Sequence, residues 1–268
     1  MVSLIDTHCH LDFNIFDNDR QEVIARAREA EVKWVLNPGI DLPTSQAAIQ
    51  LAKTHPQEVR AAVGIHPNEG GTWSMGILAE LHQLAVQPEV LAIGEIGLDF
   101  YRDRVPEGRQ IEILEAQLEL AAELGLPVII HSRKAIQALL PILANWQAKL
   151  SRNGLPLAHH PGVLHSFEGT LEEAECAISL NFFIGVSGPI TFTNARERKS
   201  VIGLLPLSHL VLETDAPFLT PHPHRGQRNE PGFVRLIAMK IAELHNQPLA
   251  DIIETTSNNA TQLFAWGV

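Results

Sequence analysis

Cysteine is nearly absent from this sequence, which has only Cys9 and Cys176 among its 268 residues. Two cysteines cannot build the disulfide framework of a small secreted domain, and their scarcity favours a reducing cytoplasm. Long apolar runs are also missing, since stretches such as PVIIHS and LVLETD are much shorter than the roughly 20 residues that span a bilayer. No basic segment followed by an apolar one stands at the start, so no signal peptide is expected. The sequence therefore predicts a cytoplasmic protein without a membrane partner.

Positive charge is in short supply as well. The chain has 20 Lys and Arg against 31 Asp and Glu, which gives a formal net charge of -11. A protein that holds a polynucleotide along its length normally presents a basic face. This composition argues against such a track. Any nucleic-acid substrate is expected to be bound at its end, by metal ions and a few arginines, and no obligate protein partner is indicated.

Nucleotide-cofactor motifs are lacking, because no G-x-G-x-x-G or P-loop pattern follows a predicted strand. What the chain does contain is a regular alternation of strand-like and helix-like segments. Helical spacing is clearest over residues 105–125, which Gly125 ends, and Thr170 with Glu173 forms a capping box. The strand candidates are SLIDTH, KWVLNPG, VRAAVGIH, VLAIGEIG, PVIIHS, GVLHSF, FFIGVSG and LVLETD.

Eight βα units in a chain of this length predict a (β/α)8 TIM barrel, with residues 1–268 forming a single domain. A doubly wound open sheet is the alternative. The segment 151–162 is predicted to be a surface loop before the sixth strand, with His159 and His160 in solvent.

The stretch LIDTHCH raises the question of a metal site. Alternate side chains of a strand share a face, so Asp6, His8 and His10 are predicted to project together, with Thr7 and Cys9 on the other side. Two imidazoles on one face can bind a metal, although an H-x-H pattern also arises by chance in a chain with 13 histidines. The other strand ends decide between these readings.

Polar side chains with metal-binding groups follow the apolar runs of several predicted strands. The carboxyl ends of barrel strands form the active-site face, so these side chains are expected to meet there. Buried imidazoles and carboxylates are costly unless they are paired or bind a metal, which favours a metal site over purely structural roles. The six candidates are His8, His10, Glu95, His131, His165 and Asp215.

These six candidates exceed the three protein ligands of a typical catalytic zinc. They suit two divalent ions that share a bridging carboxylate and activate a water for hydrolysis. Glu95 is the candidate bridge, since no lysine nearby on the fourth strand offers an alternative. Asp215 is predicted to bind one metal and to take the proton of the attacking water. Mg, Mn, Zn and Ni all accept such ligands.

Blocks along almost the whole chain resemble the TatD family of metal-dependent hydrolases, within the amidohydrolase-like barrel superfamily. In order, they are DTHCHLD, VGIHP, GEIGLDFY, VIIHSR, VLHSFEG and ETDAPFLTPHPHRGQRNEP. The resemblance implies that one metal is held by His8, His10, Glu95 and Asp215, and the other by Glu95, His131 and His165. The chain departs from the family pattern at Ser166, where cysteine is frequent, and at Glu168, where Ser or Thr is frequent. A carboxylate at Glu168 is expected to alter substrate preference.

Three further residues are candidates for substrate contact. His66 ends the third predicted strand and either faces the substrate or makes a structural hydrogen bond. Arg133 is suited to clamp a phosphate, because a guanidinium binds such anions through two parallel hydrogen bonds. Arg225 either contacts substrate or pins the last loop, and pinning is the predicted role of Arg228. Asp99 and Glu213 are predicted to orient metal ligands.

The family resemblance implies a deoxyribonuclease that removes nucleotides from the 3′ end of single-stranded DNA, with RNA as a further substrate. A metal-bridging hydroxide would attack the phosphodiester. An alternative within the same chemistry is ester or amide hydrolysis, as in TatD-like deacylases that remove D-amino acids from tRNA. A metal-binding protein without catalysis is a third reading, which the retention of all six ligand candidates disfavours.

Overall fold

The fold is organised around one parallel sheet of eight strands, seen in a computed structural model that describes residues 3–266. Neighbouring strands follow one another in chain order, which confirms the predicted barrel and excludes a doubly wound sheet. Every predicted strand segment overlaps one of them, and β2, β4 and β5 extend one or two residues beyond the predicted bounds. The strands are β1 (Leu4–Asp6), β2 (Val32–Pro38), β3 (Val59–Val63), β4 (Val90–Asp99), β5 (Val128–Arg133), β6 (Gly162–Leu164), β7 (Phe183–Val186) and β8 (Leu210–Leu212).

The barrel closes where the chain leaves β1 and β8. The backbone N–H of Thr7 donates to the carbonyl of Leu212 at 2.9 Å, and the N–H of Asp215 donates to the carbonyl of His8 at 2.8 Å. A parallel bridge between Cys9 and Ala216 continues this pairing. The seam between the first and last strands therefore runs through the segments that carry predicted metal ligands.

Helices follow the strands on the outside of the sheet. They are α1 (Arg20–Glu29), α2 (Leu42–Thr54), α3 (Met75–Ala85), α4 (Glu107–Leu124), α5 (Ile136–Arg152), α6 (Leu171–Ser179), α7 (Arg196–Leu204), α8 (Val234–His245) and α9 (Leu249–Phe264). The predicted helix over 105–125 is α4, which ends at Gly125 in the left-handed region with φ 69°. The capping box of Thr170 and Glu173 is present at the start of α6. Within residues 3–266, none of these helices combines the length and apolar character needed to cross a membrane.

The interior of the barrel is packed at the end opposite the predicted site. Each strand contributes one buried apolar side chain, among them Ile5, Ile129 and Phe183, to a cluster that Phe264 and Trp266 cover from the end of the chain. The His160 ring lies tilted against that of Phe183, with 5.9 Å between ring centroids, so it lies at this end and away from the strand carboxyl ends. The predicted 151–162 loop contains the end of α5 and a short 3-10 helix, Pro156–His159.

Candidate metal centre

The six predicted ligands converge at the carboxyl ends of the strands. Five of them line a cavity of about 510 Å³, and the sixth, His8, is fully buried behind it. This gathering follows from the parallel sheet, because β4, β5, β6 and the seam between β1 and β8 all end at the same rim. The lining ligands are His10, Glu95, His131, His165 and Asp215.

Four donor atoms lie close together at the first candidate cation site. The Nε2 atoms of His8 and His10 are 3.1 Å apart. Oε2 of Glu95 lies 3.4 and 3.7 Å from these two nitrogens, and Oδ1 of Asp215 lies 3.7 Å from each. A tetrahedral ion with bonds of ~2.1 Å separates its ligands by about 3.4 Å. The donors of His8, His10 and Glu95, which all lie within 4.8 Å of one another, therefore fit one divalent cation, with Asp215 beside both histidine nitrogens.

The second oxygen of Glu95 faces a different set of histidines. Oε1 lies 2.8 Å from Nδ1 of His131 and 3.8 Å from Nε2 of His66. The His66 and His131 rings contact each other edge to face, with centroids 4.5 Å apart. Glu95 thus directs one carboxylate oxygen to each of two potential cation sites, which is the arrangement of a bridging ligand.

His165 lies between His8 and Glu213. Its ring stacks on that of His8 with centroids 3.6 Å apart, and its Nε2 lies 3.8 Å from Oδ1 of Asp215. Its Nδ1 lies 3.0 Å from Oε1 of Glu213. His66, rather than His165, groups with Glu95 and His131. The assignment of His165 to the second metal stays a prediction.

Neighbouring groups hold the imidazoles in place. Asp99 is buried, and its Oδ2 lies 3.5 Å from Nε2 of His131. Oε1 of Glu213 lies 3.0 Å from Nδ1 of His165. Nδ1 of His10 lies 3.2 Å from the carbonyl of Pro38. Asp99 and Glu213 thus lie beside the rings that they are predicted to orient, and these orienting roles stay a prediction.

Three of the histidines and Glu95 are held in the protonation states that bind metals. Burial lowers the pKa of His10 to about 4 and that of His66 to about 3, and it holds the pKa of His8 well below its usual value. Burial opposes ionisation of Glu95, but the adjacent His8 and His66 hold the pKa of this carboxyl well below its usual range. Neutral imidazoles and a carboxylate are the donor forms that a cation requires.

The other ligand candidates have raised pKa values. Burial opposes the charge of both remaining imidazoles, but Asp99 and Glu95 raise the pKa of His131 to about 9, and Glu213 and Asp215 raise that of His165 to about 10. Burial raises the pKa of Asp215 to about 7. A cation bound to these residues must replace their protons, so binding there releases protons.

The predicted position of Asp6 beside the two histidines is wrong. Strand β1 ends at Asp6, and the chain then turns, so strict alternation does not extend to His8 and His10. The Asp6 carboxylate accepts hydrogen bonds from the backbone N–H and the hydroxyl of Thr214, at 2.8 and 2.6 Å. Asp6 therefore joins β1 to the segment after β8, and burial raises its pKa to about 8.

The predicted substrate contacts lie in different places. His66 and Arg133 line the cavity, and Arg133 packs with its guanidinium 4.3 Å from the centre of the Tyr101 ring. Arg225 is exposed and does not line this cavity; it stacks at 4.0 Å over Phe192. A substrate contact for these three residues stays a prediction.

The sequence analysis missed several residues of the cavity wall. Phe13 and Phe218 form an apolar patch beside His10, with Phe13 stacked on the imidazole at 4.7 Å between centroids. Arg102 and Arg104 line the cavity from the segment after β4. Phe13 directly follows the DTHCHLD block, and Phe218 lies within the block that begins with ETDAP. The sequence motifs could therefore have indicated both residues. The two arginines are in a loop whose path the sequence pattern does not predict.

A parallel barrel with two histidine–carboxylate groups at its strand carboxyl ends defines a metal-dependent hydrolase. The profile of the family described as TatD related DNase matches residues 5–265. The chain belongs to this family.

Similar proteins agree with this assignment. The chain is 38% identical to an uncharacterized metal-dependent hydrolase, YabD, of Bacillus subtilis, over 97% of this chain and 98% of that protein. It is also 38% identical to the 3′-5′ ssDNA/RNA exonuclease TatD of Erwinia tasmaniensis, over 97% and 99% of the two chains. The crystal structure of YjjV, a TatD homologue from Escherichia coli, superposes with a TM-score of 0.90 at 35% identity and covers 99% of each chain.

Proposed function

We propose that this hydrolase is a divalent-metal-dependent nuclease that removes nucleotides from the 3′ end of single-stranded DNA, with RNA as a further substrate. The observation that carries the proposal is the placement of Glu95, whose two oxygens face different histidine groups. A two-metal site of this kind clamps the attacking and leaving oxygens of a phosphoryl transfer. The exonuclease activity named for the Erwinia relative supports the same substrate class.

Two ions of Mg, Mn, Zn or Ni are the proposed cofactors. His8, His10, Glu95 and Asp215 would hold one ion, and Glu95 and His131, with His165 or His66, would hold the other. When bound, the ions supply an activated water and neutralise the charge that develops on the phosphate. The choice among these metals depends on their availability, because histidine and carboxylate ligands accept all of them.

Side chains of the cavity supply the remaining steps. Asp215 accepts the proton of the attacking water, a role that suits a carboxyl whose pKa burial raises to about 7. Arg133 faces the same cavity and binds a phosphate oxygen of the substrate. Phe13 and Phe218 offer an apolar surface for the base of the terminal nucleotide.

The acidic net charge of -11 supports binding at a strand end, because few positive charges are available to follow a long polymer. The proposed location is the cytoplasm. Cys9 is buried and Cys176 exposed, and neither forms a disulfide within the described residues. Free cysteines of this kind agree with a reducing compartment.

A substrate panel with the metal-reconstituted protein tests this function. It contains single-stranded DNA labelled at the 3′ or 5′ end, RNA, D-aminoacyl-tRNA and a phosphotriester, with Asp215→Asn as the inactive control. We expect early release of the 3′ label from DNA while the 5′ label stays in long products. Intact DNA with every metal, together with hydrolysis of D-aminoacyl-tRNA, would replace the nuclease assignment by the deacylase alternative.

A further inference from the structure

A second, larger cavity continues from the metal centre. It has a volume of about 1390 Å³ and shares Arg133, Glu168 and Arg198 with the first cavity. It extends between the starts of α5, α6 and α7, with Lys134 and Arg196 on its wall. Pockets for small ligands are roughly 300–1,000 Å³, so this groove offers space for more than one nucleotide unit.

Positive side chains without a partner are concentrated at these two cavities. Most Lys and Arg residues form an ion pair with a carboxylate or donate a side-chain hydrogen bond. Those that do neither within residues 3–266 are Lys33, Arg102, Arg133, Lys134, Arg196 and Arg225. Four of them, Arg102, Arg133, Lys134 and Arg196, line the cavities. Although the protein is acidic overall, most of its unpaired positive side chains therefore line the two cavities.

An aromatic ring positions two of these charges without neutralising them. The guanidinium of Arg133 and the ammonium of Lys134 lie 4.3 and 5.0 Å from the centre of the Tyr101 ring, which is 54% exposed. Cation–π contacts of this kind restrain a side chain and leave its hydrogen-bond donors available. Arg133 and Lys134 are therefore held ready for an anionic ligand at the junction of the two cavities.

Carboxylates of the groove are mostly engaged by other groups. Glu168 pairs with Arg198 at 3.1 Å, and Glu173 accepts the backbone N–H of Thr170 at 2.7 Å as part of the capping box. Glu197 is exposed next to the free Arg196. The Glu168–Arg198 pair lies where both cavities meet, so it masks one positive charge at the entrance of the groove.

We infer that this groove holds the part of the nucleic-acid strand beyond the nucleotide that is cleaved, with Arg133, Lys134 and Arg196 as its phosphate contacts. The inference rests on the proposed nuclease function and extends it. Glu168 acts as a specificity residue, because it withholds the charge of Arg198 from the strand. Binding is therefore expected to tighten as an oligonucleotide lengthens and to reach a plateau once the groove is filled.

Binding of a cleavage-resistant strand tests the groove independently of turnover. The probe is a 5′-fluorescein oligothymidylate with phosphorothioate linkages, two to eight nucleotides long, titrated against the holoenzyme by anisotropy at several salt concentrations. We expect Lys134→Ala and Arg196→Ala each to weaken binding of the octamer roughly three- to tenfold. Each should reduce the salt slope by about 0.7, the contribution of one phosphate on a single strand. The dimer should be affected less.

Two further variants sharpen this experiment. Lys33→Ala is the matched control, since Lys33 is also a free cation over an aromatic ring, 5.6 Å from the centre of Trp34, but lies on β2 near its amino end. It should bind the octamer as the wild type does. Glu168→Gln frees Arg198 and is expected to strengthen octamer binding about two- to fivefold and to steepen the slope.

The outcomes separate this inference from the proposed function. If the wild type degrades 3′-labelled DNA but Lys134→Ala, Arg196→Ala and Lys33→Ala all bind the octamer equally, the groove assignment is wrong and the nuclease stands. If the Lys134 and Arg196 variants lose binding while the wild type cleaves no DNA, the groove binds a strand for another reaction. In that case the groove assignment holds and the nuclease proposal fails.

Discussion

Glu95 is 4% exposed at the middle of β4, and each of its oxygens faces a different pair of histidines. Glu95→Ala removes a ligand from both proposed cation sites and should lower metal content from about two ions per chain to below one. His165→Ala should leave about one, because the His8 and His10 group keeps its donors. Metal analysis of the purified variants checks this, with Glu119→Ala on the surface as the control. Equal losses in the Glu95 and His165 variants would contradict the proposed partition.

Asp215 offers a separate test of chemistry against binding. Asp215→Asn keeps an oxygen near His8 and His10 but cannot accept a proton from the attacking water. We expect part of the metal to remain and kcat to fall about 10²- to 10⁴-fold, the usual contribution of general base catalysis. Steady-state kinetics and metal content are measured on the same preparation. Turnover near the wild-type rate would exclude Asp215 as the proton acceptor.

At the scale of residues, the polar side chains that interrupt or follow an apolar run are those that the structure brings together at the candidate site. Asp215 follows β8 as the pattern predicts, whereas β4 and β5 continue past Glu95 and His131 to Asp99 and Arg133. Asp6 failed, because one residue of strand more or less reverses the direction of a side chain, and β1 ends earlier than alternation requires. Arg102 was missed, since the path of its loop depends on tertiary contacts.

At the scale of elements, the loop after β8 is tied to the first helix by Arg228. Its guanidinium donates to both oxygens of Asp19 at 2.7 and 2.6 Å and lies 4.6 Å from the centre of the Phe16 ring. This geometry agrees with the pinning role predicted for Arg228. The Arg228 side chain thereby holds the loop after β8 against Asp19 and Phe16. The position of this loop, which begins near Asp215 at the metal centre, depends on that contact.

Arg228→Ala should lower the Tm by about 2–4 °C at pH 7, because a partly exposed ion pair is lost. The hydrogen bond from Arg228 lowers the pKa of Asp19 from 3.8 to about 2. A depressed carboxyl pKa stabilises the fold above the unfolded value and loses this effect as the pH falls through the folded value. The Tm difference should therefore shrink between pH 4 and pH 2. Arg235→Ala, which breaks the exposed pair with Glu31, serves as the control. A pH-independent difference would assign the loss to packing on Phe16.

Helix α4 and the capping box of α6 were predictable because local signals decide them: apolar spacing, a terminal Gly125, and Thr170 three residues before Glu173. The short 3-10 helix at Pro156–His159 was not, since its residues resemble a loop and gain their conformation by packing. Elements with local signals are thus recovered, and those that tertiary contacts shape are not.

At the scale of the whole molecule, one end of the barrel carries the metal-ligand candidates and the other end contains a packed apolar cluster. Phe264 is 2% exposed and belongs to the apolar cluster opposite the metal centre. Phe264→Ala should reduce the free energy of unfolding by about 3–5 kcal/mol through the cavity it leaves. Metal content per folded chain should not change, because the cluster contains none of the ligand candidates. Denaturant unfolding and metal analysis check both parts, with Phe264→Leu as the milder variant. Loss of metal at full folding would show that the ends are coupled.

The overall architecture was predictable because the number and order of βα units nearly determine a barrel. How that barrel closes was not, since β1 and β8 meet through segments beyond the strands. Such a contact joins residues that are 205 positions apart in the sequence, and no local pattern predicts it.

The seam has a consequence for how the protein is made. His8 and His10 leave the ribosome some two hundred residues before Asp215 and the backbone that pairs with them. A cation held by all three can therefore bind only after the segment that follows β8 has been made. Chains truncated before β8 will carry exposed imidazoles without a complete site. Metal acquisition thus reports that translation of the barrel has been completed.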